Sequence, residues 1–328
     1  MDAFTSASAP DRRLMVDSYS QWVINDRFMG LPFRWFRSRT LREEHRRTLA
    51  LIHSPPPGVL ARFINPLGFL GIRYPFRNHK KCVAIDHDII YIGGINFSDH
   101  NFAWHDFMLR IQDVALCTEI TEDFLSTWNH HNQSKKVSIS HTDLYFLNGI
   151  QSRELVSDII SKICAAQHSI TVLSAYLSPP FLKPLLEASR RGVTVTIVFP
   201  WENNKPMFNL MIQGACEGSA VLLKFCRGMH HLKAMIIDDS KLIIGSCNFD
   251  FISYCFEQET VMVTSDLEVV SQFKTSILVP ILANVVATKW CSGVVKPKAV
   301  YAFVRALSYL LIKISIWRNS KQATVGQS

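Results

Sequence analysis

Two stretches of the chain, residues 78–96 and 230–248, carry the same pattern of apolar and polar positions. Each has a short apolar run (CVAID; AMIID), a pair of turn residues (HD; DS) and a second apolar run (IIYIGG; KLIIGS). Short apolar runs bounded by turn-formers predict β-hairpins. Downstream of each hairpin, WHDFMLRIQD (104–113) and EQETVMVTSD (257–266) predict another matched pair of strands. Ahead of the second hairpin the period changes: Glu154–Ala166 has helical spacing, Ser169–Ser174 is strand-like, Pro180–Arg191 is a helix after a double proline, and Gly192–Pro200 is strand-like again. Such alternation is the mark of a layered α/β fold.

The polar stretch Asn129–Ser138 separates the two halves and is the expected linker. The first half offers only one strand ahead of its hairpin, Arg13–Asp17, followed by a long irregular region with SPPPG at 54–58. Nothing in it matches the strand and helix of 169–191, so the first repeat is expected to lack about one β-α unit. This divides the chain into a first repeat (1–136), a second repeat (137–288) and a tail (289–328).

The repeat carries chemistry as well as pattern. His79, Lys81, Asp86, Gly93 and Asn96 recur 152 positions later as His231, Lys233, Asp238, Gly245 and Asn248, and Asp106 stands opposite Glu259 in the downstream strands. Two histidines suit transfer at phosphorus: one neutral imidazole attacks to form a phosphohistidine while the other, protonated, serves the leaving alkoxide. A lysine two residues along a strand points to the same side as its histidine, so Lys81 and Lys233 can neutralise phosphoryl oxygens. Asn96 and Asn248 can add hydrogen bonds, and small residues at Gly94 and Ser246 let backbone approach an anion. Asp106 and Glu259 are candidates to hold the ring nitrogen opposite the reacting one. Asp86 and Asp238, grouped with the catalytic motif, sit at turns and suit an orienting part. No metal and no cofactor is called for.

Composition narrows the partner. Nearly half of the residues are apolar, and the net charge of +8 favours an anionic partner. The eight cysteines form no C-x-x-C pair and read as small buried hydrophobes of a reducing compartment. The N-terminus is polar, without the apolar stretch of a signal peptide, and the longer apolar runs are broken by charge or proline. No transmembrane helix is therefore expected. The tail 296–321, apolar with Lys296, Lys298, Arg305, Lys313, Arg318 and Lys321 spread along it, is either an interfacial segment or a helix docked on the core. No strand face interleaves aromatic and basic residues, so nucleic acid is not the expected partner.

The paired H-x-K-x4-D-x6-G-[GS]-x-N motifs resemble the phospholipase D superfamily, and within it the cardiolipin synthases, whose first motif likewise carries Gly-Gly where many relatives have Gly-Ser. The resemblance spans most of residues 10–275. It implies a two-lobed α/β/α sandwich with a pseudo-twofold repeat. It also implies a histidine nucleophile from the first motif, His79, with His231 as acid/base and Lys81, Lys233, Asn96 and Asn248 on the phosphate. The activity implied is phosphatidyl transfer, joining two phosphatidylglycerol molecules with release of glycerol at an anionic membrane surface. The expected place is peripheral, on the cytoplasmic side of the cell membrane. Hydrolysis by the same intermediate, or nuclease chemistry of the same superfamily, are the alternatives. Cardiolipin synthases usually carry N-terminal membrane spans and a complete first β-α unit, which this sequence does not display.

Overall fold

The computed structural model describes residues 12–16, 46, 50, 54–55, 57–63, 76–97, 101–290 and 296–325. Asp17, Pro56 and Cys291, which figure in the sequence reading, lie outside these. The chain divides into two compact units, a smaller one from residues up to His79 with Phe124–Asn132, and a larger one from Lys80–Asp123 with Gln133–Ser328.

In the smaller unit, β1 (Arg12–Val16) pairs in parallel with β2 (Val59–Phe63). The guanidinium groups of Arg13 and Arg62 lie over the Trp128 ring at 5.7 and 5.5 Å. The strand β2 starts directly after SPPPG, inside the region read from sequence as irregular; Gly58, at φ 76°, turns the chain into it.

The larger unit holds two sheets. β3 (Cys82–Ile85), β4 (Ile89–Gly93) and β5 (Met108–Gln112) form an antiparallel three-stranded sheet. The nine-stranded sheet contains β6 (Lys135–Ile139), β7 (Thr142–Asn148), β8 (Ser169–Ser174), β9 (Thr194–Pro200), β10 (Leu222–Cys226), β11 (Lys233–Ile237), β12 (Lys241–Gly245), β13 (Gln258–Thr264) and β14 (Val285–Ala287). Its order is β14-β10-β9-β8-β11-β12-β13-β7-β6, with β8, β9 and β10 mutually parallel and the other pairs antiparallel. The matched strands and the hairpins fall where the apolar runs put them. The expected linker does not stay a linker: Lys135–Ile139 becomes the edge strand β6, tied by Lys135 to Glu119 and by Lys136 to Asp143 and Asp158.

The central strands are buried on both faces, and alternate residues go to different cores. On one face Ile170, Val172, Val195, Ile197, Met235, Ile243 and Val261 pack under helices α2 (Arg153–Cys164), α3 (Leu182–Arg190) and α4 (Pro206–Cys216). On the other, Leu173, Val198, Ala234, Ile236 and Met262 pack with the three-stranded sheet, with α1 (Val114–Trp128) and with α6 (Leu267–Phe273), the helix after α5 (Phe251–Phe256). Ile90 and Ile92 of β4 share this second core with Leu242 and Ile244 of β12. These residues are each other's counterparts at the 152-residue offset, so the repeat packs against itself. A short helix α7 (Val279–Ala283) leads to β14.

Among its described residues the tail forms a helix, α8 (Pro297–Val325). It lies on the larger unit: the Pro297 carbonyl abuts Gly214 of α4, where a Cβ would come within 2.2 Å, and Val304 joins the first core. Its segment Pro297–Ser320 is long and apolar enough to cross a membrane, contrary to the reading from its charges.

Truncating the seam between the repeats by Ile244→Ala should cost about 2–5 kcal/mol of stability, the range for opening a cavity in a buried core. The urea midpoint of the purified variant measures it, and a change under 0.5 kcal/mol would contradict the shared core.

Candidate active site

The two hairpins are built on one register. Cys82 pairs with Ile92 and Ile85 with Ile89 in the first; Ala234 pairs with Ile244 and Ile237 with Lys241 in the second, the same pairing moved by 152 residues. In the downstream strands Gly93 faces Met108 and Gly245 faces Val261, which sets Asp106 and Glu259 each two residues before the matched partner.

The motif aspartates belong to the turns. Asp86 and Asp238 take φ values of 55° and 51°, a left-handed conformation that Asp tolerates better than most residues. Asp86 is exposed. Asp238 accepts hydrogen bonds from the backbone N–H groups of Gln167, His168 and Ser169 and so pins the start of β8. Burial opposes its ionisation, but these backbone donors outweigh it and hold its carboxyl below the usual range.

His231 is 5% exposed and held from the other repeat. Its Nδ1 lies 2.9 Å from Asp106 Oδ2. A carboxylate only accepts, so Nδ1 carries the proton and Nε2 keeps its lone pair. Lys233 Nζ, 2.9 Å from Nδ1 and 3.1 Å from Nε2, can therefore donate only to Nε2, and it also donates to the His231 carbonyl at 2.8 Å. The backbone locks the same pair of segments: His231 N–H donates to the His105 carbonyl, and His105 N–H to that of Met229. The rings of Trp104 and Tyr176 flank the imidazole at 5.5 and 5.9 Å. Burial, then the Lys233 charge, lowers the His231 pKa to about 3 against the pull of Asp106, and Lys81 lowers it further.

Around this imidazole, charges are buried in opposition. Burial lowers the pKa of Lys233, while Asp106, Glu259, Glu257 and Asp250 all act to raise it. Burial and Glu257 raise that of Glu259 against Lys81, Ser246 and Ser253. Ser253 Oγ stands 2.9 Å from both Glu257 Oε2 and Glu259 Oε1. One hydroxyl proton cannot serve both, so the raised pKa fits a carboxyl proton shared across this pair. Lys81 is nearly buried and close enough to act on both Glu259 and His231. His79 is half-buried and belongs to the smaller unit.

The small residues have other work than admitting an anion. A Cβ at Gly93 would strike the Phe107 carbonyl at 2.2 Å, and one at Gly245 the Thr260 carbonyl at 2.1 Å, so both permit close strand pairing. At Gly94 the space is filled by Asp106 Oδ1, while the Ser246 hydroxyl donates to Glu259. Asn248, nearly buried, and Asn96, half-buried, make no side-chain hydrogen bond among the described residues, which leaves their amides available. Sequence reasoning missed Trp104, Tyr176 and Glu257 as neighbours. Trp104 and Glu257 each lie two residues ahead of a singled-out carboxylate, the one signal that could have found them.

Residues 159–278 match the family described as cardiolipin synthase, phospholipase D-like domain. That stretch carries the second repeated motif, and through it the chain is similar to the phospholipase D superfamily. Among curated relatives, a minor cardiolipin synthase of Bacillus subtilis (strain 168) is 28% identical over 228 residues, 57% of this chain and 53% of that one. A cardiolipin synthase of Staphylococcus aureus (strain Mu50) is 28% identical over 250 residues, 66% of this chain and 49% of that one. The chain thus spans about half the length of the curated superfamily relatives it matches. Among solved structures, a phosphatidylserine synthase of Haemophilus influenzae has a TM-score of 0.61 at 12% identity, over 96% of this chain and 90% of that one, a likeness of fold.

Acid should unfold the protein partly through its buried imidazoles. His230, fully buried beside His231, has no hydrogen-bond partner on either ring nitrogen among the described residues. Burial lowers its pKa to about 3 from 6.5 in spite of the nearby Val198 carbonyl. A depressed folded pKa means that the unfolded chain binds the extra proton, so the stability is complete above about 6.5 and drains away toward about 3. His230→Leu should flatten the pH dependence of the urea midpoint in that window by up to one proton; an unchanged slope would count against a neutral buried imidazole.

Proposed function

We propose that the protein transfers a phosphatidyl group between alcohols through a phosphohistidine, and that its reaction joins two phosphatidylglycerol molecules into cardiolipin with release of glycerol. The observation that carries this reading is the buried cluster in which Lys81 and Asp106 of one repeat meet His231, Lys233 and Glu259 of the other. Similarity to cardiolipin synthases supports the lipid substrate. The reading takes the repeats 1–136 and 137–288 as two halves of one pseudo-twofold catalytic core, with 289–328 as its tail.

In this mechanism Lys81, Lys233, Asn96 and Asn248 bind the non-bridging oxygens of the donor diester, and His79 attacks phosphorus. The bond from phosphorus to the glycerol oxygen breaks, and His231 supplies the proton that glycerol leaves with. Before the donor binds, His231 is neutral because it is buried beside lysine charges; the arriving diester anion offsets those charges and raises its pKa, so the substrate arms its own acid. In the second half His231 takes the proton from the hydroxyl of the incoming lipid, whose oxygen displaces His79 from phosphorus. Glu259 is the counterpart of Asp106 and supports His79 on this reading. The same intermediate would give hydrolysis if water arrived first.

Purified protein in phosphatidylglycerol micelles should form cardiolipin, with His79→Ala and His231→Ala each at least about a thousandfold slower. Mass spectrometry of the products decides it: phosphatidic acid alone would make the protein a hydrolase, and product formation equal in the two variants and the wild type would remove the site.

The tail supports action at an anionic membrane surface. Residues 269–328 hold eight of the 35 Lys and Arg and none of the 27 Asp and Glu, so the rest of the chain is balanced and the net charge of +8 resides there. The helix α8 docks through Val304, Ser308 and Ser315, and on an adjoining face exposes Phe303, Leu307, Leu310, Ile314 and Trp317 at alternating steps of four and three. That stripe, about 120° round the helix from the docked face, is suited to lie in the headgroup layer with cations beside it. Sedimentation with vesicles containing anionic lipid should weaken at least tenfold on joint Leu307→Gln and Leu310→Gln substitution. Concentration-dependent dimers without vesicle binding would instead make the stripe a self-association seam.

A further inference from the structure

Transfer between two lipids needs a place for the acceptor as well as for the donor, and the repeated motifs supply cations for only one phosphate. A further cation, outside both motifs, stands over a ring that flanks His231. Lys205 Nζ lies 4.4 Å from the centroid of the Tyr176 ring, and that ring packs edge-on at 5.9 Å from the His231 ring. The ammonium therefore cannot be farther from the imidazole than those two lengths laid end to end.

The position is held rather than incidental. Lys205 N–H donates to Asn203 Oδ1 at 2.8 Å. Asn203, itself buried, donates to the Ala175 carbonyl and to Asn209 Oδ1, each at 2.9 Å, and the fully buried Asn209 donates to the Pro200 carbonyl at 3.0 Å. Two buried amides thus tie the segment after β9 to the segment after β8, and the Tyr176 hydroxyl closes the group by donating to Asn204 Oδ1. Both segments leave the carboxyl ends of parallel strands, where open α/β sheets take their ligands. Lys205 is half-buried and also acts on Asp250, which places its charge on the inner side of this loop.

We propose that Lys205 binds the phosphate of the acceptor, so that the site selects an alcohol already carrying a phosphodiester or phosphomonoester over a plain alcohol or water. The inference rests on the phosphatidyl-transfer reading given above. Phosphorus atoms bridged by one glycerol are six covalent bonds apart, roughly 7 Å when extended, which is shorter than the greatest separation that the Tyr176 ring allows between Lys205 and His231. An ammonium serves as a point-charge partner for such a phosphate, and the Tyr176 face keeps it directed by cation–π attraction. Because Lys205 lies outside the repeated motif, the site has a donor side and an acceptor side although its catalytic residues come in pairs.

The test gives the full chain an unlabelled phosphatidylglycerol donor with three acceptors labelled in turn: glycerol, glycerol 3-phosphate and phosphatidylglycerol, so that transfer to glycerol, which regenerates the donor lipid, is read as label entering it. The first two differ only by the phosphate, and the third separates a lipid-borne diester from a free monoester. Lys205→Met should lower the ratio of transfer to phosphate-bearing acceptors over transfer to glycerol by about 10–100-fold, chiefly through the acceptor KM, and Lys205→Arg should keep most of it. An unchanged ratio in a Lys205→Met protein that melts like wild type overturns the acceptor site while leaving transfer intact. Wild type that transfers to none of the three overturns the transfer reading itself, and the acceptor site with it. A loss confined to glycerol 3-phosphate would show that the site takes the monoester rather than the lipid.

Discussion

The arrangement of the larger unit turns on one hydrogen bond, from His231 Nδ1 to Asp106. It fixes the tautomer of a buried imidazole, and it does so with a carboxylate delivered from the other repeat. The surrounding architecture follows from that need. Gly94 must be without a side chain for Asp106 to fit, the backbone at His105 must pair with the strand leading into His231, and β4 must come against β12 for the two hairpins to meet.

A second constraint is electrostatic. Lys81, Lys233, Asp106, Asp250, Glu257 and Glu259 crowd a region with little solvent, where an uncompensated charge is costly. The protein keeps it tolerable with a neutral imidazole, serine hydroxyls between carboxylates, and lysines facing acids. The depression of His231 and the elevation of Glu259 both start from burial, each sharpened by a neighbouring like charge, Lys233 in the one case and Glu257 in the other.

Much of this was legible in the sequence because the repeat made it so. The 152-residue offset located both hairpins and their register, since strand pairing preserves spacing, and the matched strands that follow gave the counterpart of Asp106 one residue farther on. What could not be read was any relation across the two copies. Nothing in the spacing says that Asp106 serves His231 rather than His79, or that Lys81 lies near Glu259. Gly94 and Ser246 were read as openings for an anion because small residues permit approach from either side; neighbouring side chains already occupy that side. The strand β6 hid in a polar stretch because an edge strand can be lined with lysines, and α8 read as charge-broken because its cations lie off the face that docks.

The bond between Asp106 and His231 also bears on how such a chain can be divided. Duplicated halves that each contain every part they need could be cut apart and still work, as two identical protomers do. Here a break between residues 129 and 134 would leave the fragment with His231 lacking the carboxylate that holds its ring. Its function would return only when the other fragment bound to it. The duplication is therefore one of sequence and register but not of autonomy, and fission of the gene would create an obligate complex where there had been one polypeptide.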